Sequence, residues 1–162
     1  MKLSALLACA ALSCVVAAPA MAAPKANVQK ITSTPPGRIL VGAKVAAKAE
    51  TFYLSGQLAS PVDASQPSEY GDTKTQTIST LKKIKAALEA NGYKMADIVR
   101  MDAYLTAAPN MAGKMDFAGF NAGFAEFFGT AENPTTVSRT TMQVAALAGP
   151  QFLVELTVIA AK

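Results

Sequence analysis

The last apolar stretch of the chain alternates in a way that predicts a β-strand with two unlike faces. One side is apolar throughout and consists of Phe152, Val154, Leu156 and Val158. The other side is only half apolar and consists of Leu153, Glu155, Thr157 and Ile159. The first side suits packing against helices. The second is too apolar for open water, so the pattern predicts a subunit interface and a homo-oligomer.

Two other segments repeat apolar residues at helical spacing. The first predicted helix covers 73–90 and carries an apolar stripe of Ile78, Leu81, Ile84 and Leu88. Away from this stripe the helix carries Lys82, Lys83 and Lys85. These lysines form either a solvated face or an anion site. The second predicted helix covers 110–128. Its stripe is typical of a packed core and consists of Phe117, Phe120, Phe124, Phe127 and Phe128.

The remaining strand patterns surround these helices. Runs of β-branched and aromatic residues predict strands at 38–46, 51–58 and 97–107, and two more within 137–158. Strands and helices are therefore mixed along the chain, which predicts an α+β or mixed α/β class. Two amphipathic helices packed on one face of a sheet of about five strands is the simplest arrangement.

The N-terminal segment has the pattern of an export signal. Lys2 precedes an apolar run, and small residues then recur at the spacing of a cleavage site, which predicts a signal peptide over residues 1–22. A retained amphiphilic anchor is the alternative. Residues 23–36 are polar and contain prolines, so they predict a flexible lead-in, and 37–162 form a single domain. The mature protein is expected to be periplasmic or secreted, without stable membrane association.

The composition of the chain excludes several types of catalytic and binding site. The chain has no histidine, and both cysteines, Cys9 and Cys14, lie in the predicted signal peptide. Ser-His-Asp and Cys-His sites are therefore excluded, and zinc and copper lose their common ligands, so we expect neither a metal nor a cofactor. No phosphate-binding glycine loop occurs. The net charge of +4 is scattered, so no nucleic-acid partner is predicted.

Two charged residues stand out because they lie in otherwise apolar strands. Arg139 has short neighbours on its side of the strand, and a guanidinium held in this way grips a carboxylate through two parallel hydrogen bonds. If the last two strands pair as an antiparallel hairpin, Glu155 approaches it. The two residues then form either a structural ion pair at an interface or a site in which Arg139 holds an anion and Glu155 positions or deprotonates a water. Asn121 borders the phenylalanine stripe, where a buried amide bonded to backbone is the alternative to a binding role.

Four stretches occur in an order that resembles a known family. They are YLSGQL, then GYKMADIVRMDAYLT, then FNAGFAEFFG, and finally VSRTTMQVAAL followed by AGPQFL and VEL. Together they resemble the small Rid family, also called YjgF/YER057c/UK114, whose members include enamine/imine deaminases. The resemblance covers residues 39–162. It implies a chorismate-mutase-like (YjgF-type) α+β fold, with a sheet of about five to six strands and two helices on one face. It also implies a homotrimer with clefts between neighbouring subunits.

The resemblance also implies an activity. Members of this kind hydrolyse 2-imino and enamine acids to 2-keto acids and ammonia, as 2-iminobutanoate/2-iminopropanoate deaminases do, and they use no cofactor. By position, Arg139 matches the arginine that binds the substrate carboxylate, and Glu155 matches the glutamate that places the attacking water. The other matched cleft positions are Asn121, Ser55, Gly56 and Thr141, the last through its backbone amide.

One departure from the family keeps a second function open. Where the best-known deaminases carry a tyrosine, this chain has Arg38 and Ile39. The alternative is a non-catalytic trimer that binds ligands or protects other proteins. Both hypotheses predict a small imino or keto acid in the cleft, and only the first predicts turnover.

Overall fold

Residues 26–162 are described by a computed structural model of the chain. The predicted signal peptide, 1–22, lies outside these residues and stays a prediction. Within residues 26–162 the structure has no helix that combines the length and the apolar character needed to cross a membrane.

Six strands and two α-helices make up the described part of the chain. Their bounds are β1 Val28–Ile31, β2 Gly42–Val45, β3 Thr51–Leu58, α1 Thr73–Ala90, β4 Ile98–Leu105, α2 Phe117–Phe124, β5 Ser138–Gln143 and β6 Val154–Ala161. A short 3-10 turn, Met95–Asp97, leads into β4. The predicted bounds of the first helix are confirmed, because Asp72 caps its start by accepting the Thr75 N–H and the chain turns at Asn91.

The strands form two sheets. The main sheet has the order β3-β6-β4-β5, in which β4 and β5 are parallel and the other pairs are antiparallel. β1 and β2 form a separate antiparallel pair. With both helices packed on one face of the main sheet, the predicted α+β class is confirmed.

The last two strands do not pair with each other, so the hairpin considered as a condition for contact between Arg139 and Glu155 does not form. β4 lies between β5 and β6, bonded in parallel to the first and antiparallel to the second. Residues 144–153 carry the chain across β4, which is a longer connection than a tight hairpin uses. Buried on its helix side and central in the sheet, β4 needs partners on both edges to satisfy its backbone groups.

The second helix is shorter than predicted. It begins at Phe117 because Asp116 caps it by accepting the Gly119 N–H, and it ends at Phe124. Before it, Asn110 and Ala112 have positive φ angles, which a helix does not allow. The phenylalanine periodicity therefore extends beyond the helix that carries it.

Residues 23–36, which we expected to be a flexible lead-in, contain β1. The strand pairs with β2 from Val28 opposite Val45 to Ile31 opposite Gly42. In addition, the Lys30 ammonium donates to the carbonyls of Ala96 and Thr136, at 2.8 and 3.0 Å. These partners are distant in sequence, so local composition gave no sign of the strand.

The core lies between the helices and the main sheet. Its largest fully buried side chains include Phe120, Phe124, Leu81, Ile84 and Leu88. Of the predicted phenylalanine stripe, Phe117 is instead exposed. Gln76 is also buried, where its amide donates to the Gln151 carbonyl and accepts the Leu153 N–H. This polar contact fixes the start of α1 against the segment that enters β6.

The two faces of the main sheet differ as predicted from the alternation of the last strand. In β6, Val154, Leu156 and Val158 are buried towards the helices, whereas Glu155 and Thr157 are half-buried on the opposite face. β4 repeats the pattern, and its Arg100 bonds to Asp102 on that opposite face. We call this second surface of the main sheet the open face.

Candidate active site

Arg139 lies on β5 and points towards the helices. Its register partner on β4 is Met101, a fully buried core residue, and side chains of paired residues share a face. β5 is an edge strand of the sheet. The guanidinium is therefore placed at the border between the core and the outside.

The Arg139 guanidinium makes its hydrogen bond and its aromatic contacts with uncharged groups of α2. Its Nη2 donates to Asn121 Oδ1 at 2.8 Å, and its Cζ lies 4.8 Å from the ring centroid of Phe120 and 4.4 Å from that of Phe124. Its Nη1 is buried and has no hydrogen-bond partner among the described residues. A buried donor without a partner costs about 1–3 kcal/mol, so this arrangement favours a bound acceptor.

The charge of Arg139 is not balanced by a carboxylate. It makes no ion pair within residues 26–162. Burial and, as the smaller effect, the positive charge of Arg38 together lower the pKa of Arg139 to about 10. At neutral pH the guanidinium remains a cation, and an anion placed beside it would relieve both effects.

Thr141 follows Arg139 on the same side of β5. The Val137 carbonyl accepts the Leu40 N–H on the outer edge, and the Val144 N–H bonds to a carbonyl of β4. Because backbone groups alternate between the two edges of a strand, those of Arg139 and Thr141 point to the free edge. Thr141 Oγ1 is also buried without a described partner. Arg139, Asn121 and Thr141 thus form one cluster of donors and acceptors.

Glu155 lies on the open face of the main sheet, against β3. A Cβ built on Gly56 would come within 2.1 Å of Glu155 Oε1, so only glycine allows the carboxylate to lie there. Ser55 and Gly56 are exposed and sit where the β3–β6 register shifts, between Leu54 and Gln57. Within the described chain Glu155 forms no ion pair and no side-chain hydrogen bond, which leaves both oxygens open to a ligand or water.

The predicted site residues therefore fall into two groups on opposite faces of the sheet. Arg139, Asn121 and Thr141 lie towards the helices, whereas Glu155 lies with Ser55 and Gly56 on the open face. β4 and the width of the sheet separate them. Arg139 and Glu155 therefore do not meet across a hairpin of one chain. A structural ion pair between them at a subunit interface stays a prediction.

Sequence reasoning gave Phe120 and Phe124 a role in the core alone. The structure adds their contact with the Arg139 guanidinium, which no spacing pattern indicates because it joins a helix to a strand. In the sequence Arg38 is only a departure from the family pattern, and its proximity to Arg139 is a result of the fold. Nowhere in residues 26–162 do three acidic, histidine or cysteine side chains lie close enough together to hold a metal.

Comparison with known proteins gives relatives in this fold. The family described as endoribonuclease L-PSP matches residues 40–162. A RutC family protein of Pyrococcus horikoshii is 34% identical over 119 residues, which cover 72% of this chain and 84% of that protein. The 2-iminobutanoate/2-iminopropanoate deaminase of Salmonella typhimurium is 34% identical over 93 residues, which cover 57% of this chain and 66% of the deaminase.

Solved structures agree on the architecture. A Rid family protein of unknown function from Yersinia pestis superposes with a TM-score of 0.65 at 22% identity, covering 85% of this chain and all of that one. TdcF from E. coli, solved with bound serine, gives a TM-score of 0.56 at 26% identity, covering 83% of this chain and 99% of TdcF. The chain belongs to the endoribonuclease L-PSP family, that is, the Rid or YjgF/YER057c/UK114 family.

Proposed function

We propose that the protein hydrolyses 2-imino and enamine acids to 2-keto acids and ammonia. In this proposal Arg139 holds the substrate carboxylate, and Glu155 positions the attacking water. The support from relatives is that one protein with 34% identity is a 2-iminobutanoate/2-iminopropanoate deaminase and another is TdcF, which binds serine, an amino acid with the same carboxylate.

The observation that carries the proposal is the state of Arg139. A half-buried cation is held in place by an amide and two aromatic rings, and it keeps one buried N–H group unused. A purely structural arginine in this position would be expected to have a carboxylate partner, since an uncompensated buried charge is costly. A small organic acid supplies that partner, and Thr141 presents its backbone N–H beside it.

The chemistry needs few further groups. A protonated imine carbon is electrophilic, so water adds to it when the two are held in contact. A carboxylate such as Glu155 accepts the proton of the water as the C–O bond forms. The resulting carbinolamine then loses ammonia as the C–N bond breaks, which leaves the keto acid. Each proton taken from water leaves with the ammonia, and no oxidant or metal takes part.

The two groups of residues meet only if a second copy of the chain is present. Since Arg139 and Glu155 of one chain lie on opposite faces, a complete site needs Arg139 of one subunit and Glu155 of another. The half-apolar open face provides a surface for such contact, with Ile159 half-buried and Tyr53 71% exposed. We therefore propose a homotrimer with the sites between subunits.

The function is tested by competition for the imine. An amino-acid oxidase generates 2-imino acids in the presence of limited semicarbazide, which traps them as semicarbazones. Added protein should lower semicarbazone formation by hydrolysing the imine first. Arg139→Gln and Glu155→Gln should each reduce this effect at least about a hundredfold, because misplacing substrate or water removes much of the orientational advantage. Lys48→Gln, which removes an exposed cation on a turn, is the matched control.

The outcomes separate the two candidate functions. The protein is a binding protein if the wild type binds keto acids, loses this binding in Arg139→Gln, and does not lower semicarbazone formation. Melting curves of the variants, taken alongside, distinguish loss of the site from loss of the fold.

A further inference from the structure

We propose that Arg38 determines substrate specificity, and that the site takes 2-imino acids bearing a second carboxylate in the side chain. This inference rests on the function proposed above, since it names the substrate class of the same site. It is carried by a groove, by the position of Arg38 in that groove and by the absence of a described partner for its charge.

The groove lies beside the Arg139 cluster and has a volume of about 790 Å³. Asn121, whose Oδ1 accepts from Arg139, also forms part of the groove wall. Asn121 thus connects Arg139 to the groove, and in this proposal a ligand held at Arg139 reaches the groove past Asn121. The volume exceeds what a three- or four-carbon imino acid fills, so the groove has room for a longer side chain.

Arg38 borders the same groove and is held there by its backbone. Its carbonyl accepts the Thr136 hydroxyl at 2.8 Å, and the next bond along the chain runs from the Leu40 N–H to the Val137 carbonyl at 2.9 Å. These bonds fix residues 38–40 beside the start of β5, the strand that carries Arg139. The Arg38 side chain is exposed and forms no ion pair within residues 26–162.

The charges around the groove favour a dianion. Arg38 and Arg139 are close enough for the first to lower the pKa of the second, after the larger effect of burial. The one carboxylate in the groove wall, that of Asp116, is engaged at the start of α2, where it accepts the Gly119 N–H at 2.8 Å. The guanidinium groups of Arg38, in the groove wall, and of Arg139, behind Asn121, therefore remain available for the two carboxylates of one ligand.

The loop before α2 forms a further part of the groove wall. Gln143 of β5 fixes this loop by donating to the Gly113 carbonyl at 2.7 Å and accepting the Met115 N–H at 2.8 Å. Met111 and Met115 of the loop line the groove. They supply an apolar contact for the methylene groups that separate the two carboxylates, while the guanidinium groups take the ends.

The test compares two ligands of equal length that differ at one end. By calorimetry on the purified protein, 2-oxoglutarate is titrated against 2-oxopentanoate, in which a methyl group replaces the second carboxylate. We expect 2-oxoglutarate to bind at least about tenfold more tightly, the effect of one charge-assisted hydrogen-bonded contact. In Arg38→Gln this ratio should fall towards one, whereas Lys48→Gln should keep the wild-type ratio. Added salt should reduce the ratio in the wild type.

Each result has a definite meaning. Equal affinities for the two ligands, or tighter binding of 2-oxopentanoate, would overturn the role of Arg38 and leave the proposed function standing. Failure of both ligands to bind would overturn the carboxylate site itself, and the proposed function with it. A wild-type ratio retained in Arg38→Gln would show that the second carboxylate is recognised by another group.

Discussion

Single residues decide how the two halves of the candidate site are shaped. Gly56 leaves room for the Glu155 carboxylate, and Asn121 fixes the direction of the Arg139 fork. Neither role depends on hydrophobic burial. Each depends on a side chain of the right size, or no side chain, next to a charged group.

Gly56→Ala tests the first of these roles. The added methyl group would meet Glu155 Oε1 at 2.1 Å, so the carboxylate must move away from β3. Because the site proposed for the water moves with it, we expect imine hydrolysis to fall about tenfold or more with little change in the melting temperature. Gly42→Ala is the matched strand control, as its Cβ meets nothing within 4 Å. Full activity of Gly56→Ala would argue against a role for Glu155.

Lys30 gives a prediction about pH. Burial lowers the pKa of Lys30 from 10.5 to about 8, opposed by the charge of Asp97. In the unfolded chain the amine stays protonated up to about pH 10.5, so between pH 8 and that value unfolding takes up a proton. The free-energy cost of burying the charged amine is thus fully present below about pH 8 and is relieved as the pH rises. The free energy of unfolding therefore increases with pH between about pH 8 and pH 10.5.

The slope is measured from urea midpoints between about pH 7 and pH 9.5. Lys30→Met removes the titrating group together with the bonds to Ala96 and Thr136, so it should be less stable overall and should lack this component of the slope. Lys48→Met should keep it. An identical slope in wild type and Lys30→Met would assign the pH dependence to other groups.

At the scale of elements, the two helices cross at a point where there is no room for a side chain. A Cβ on Gly123 of α2 would lie 2.8 Å from the Thr77 Cβ and 3.0 Å from the Lys74 carbonyl oxygen of α1. This close approach explains why α1 has the small residue Thr77 at this buried position, outside the predicted aliphatic stripe. Larger residues would push the helices apart and open the core around Phe120.

Gly123→Ala should therefore destabilise the protein by about 1–3 kcal/mol through overpacking. The sign is informative, because in a helix interior alanine is favoured over glycine by about 1 kcal/mol. Denaturant unfolding measures the difference, with Ala122→Ser on the exposed side of the same helix as control. A stabilised Gly123→Ala variant would mean that the helices are less closely packed than these distances indicate.

The whole molecule depends on assembly if it is to bring its charged groups together. Arg139 points to the helix face and Glu155 to the open face of a sheet in which β4 and the sheet thickness intervene. No rearrangement of side chains joins them within one chain. The proposed trimer therefore completes the site with residues of two subunits, and it also buries apolar surface.

Mixed oligomers test this directly. When Arg139→Ala and Glu155→Gln chains are refolded together in equal amounts, a site is complete if one neighbour supplies Arg139 and the other supplies Glu155. The chance is one half times one half, so about a quarter of the wild-type activity should return from two inactive variants. No recovery in a sample that light scattering shows to be a mixed oligomer would place both residues in one subunit's site.

Local patterns in the sequence were enough to determine much of the fold. The apolar spacing and the Asn91-Gly92 turn gave the bounds of α1, and strict alternation gave the two faces of β6. These features depend on neighbours within one or two turns or strand positions, which is why they can be predicted. The family motif added the overall architecture and named the candidate site residues.

Contacts between distant segments required the tertiary structure. β1 exists through pairing with β2, and the insertion of β4 between β5 and β6 is a choice of hydrogen-bond partners that no local pattern expresses. The same insertion separates Arg139 from Glu155, and the registers of β5 and β6 on β4 place them on opposite faces. The bonds of residues 38–40 to the start of β5 bring Arg38 beside the groove. The sequence by itself determined which residues are available for chemistry. The three-dimensional arrangement decided which of them meet, because strand order and face are set by long-range pairing.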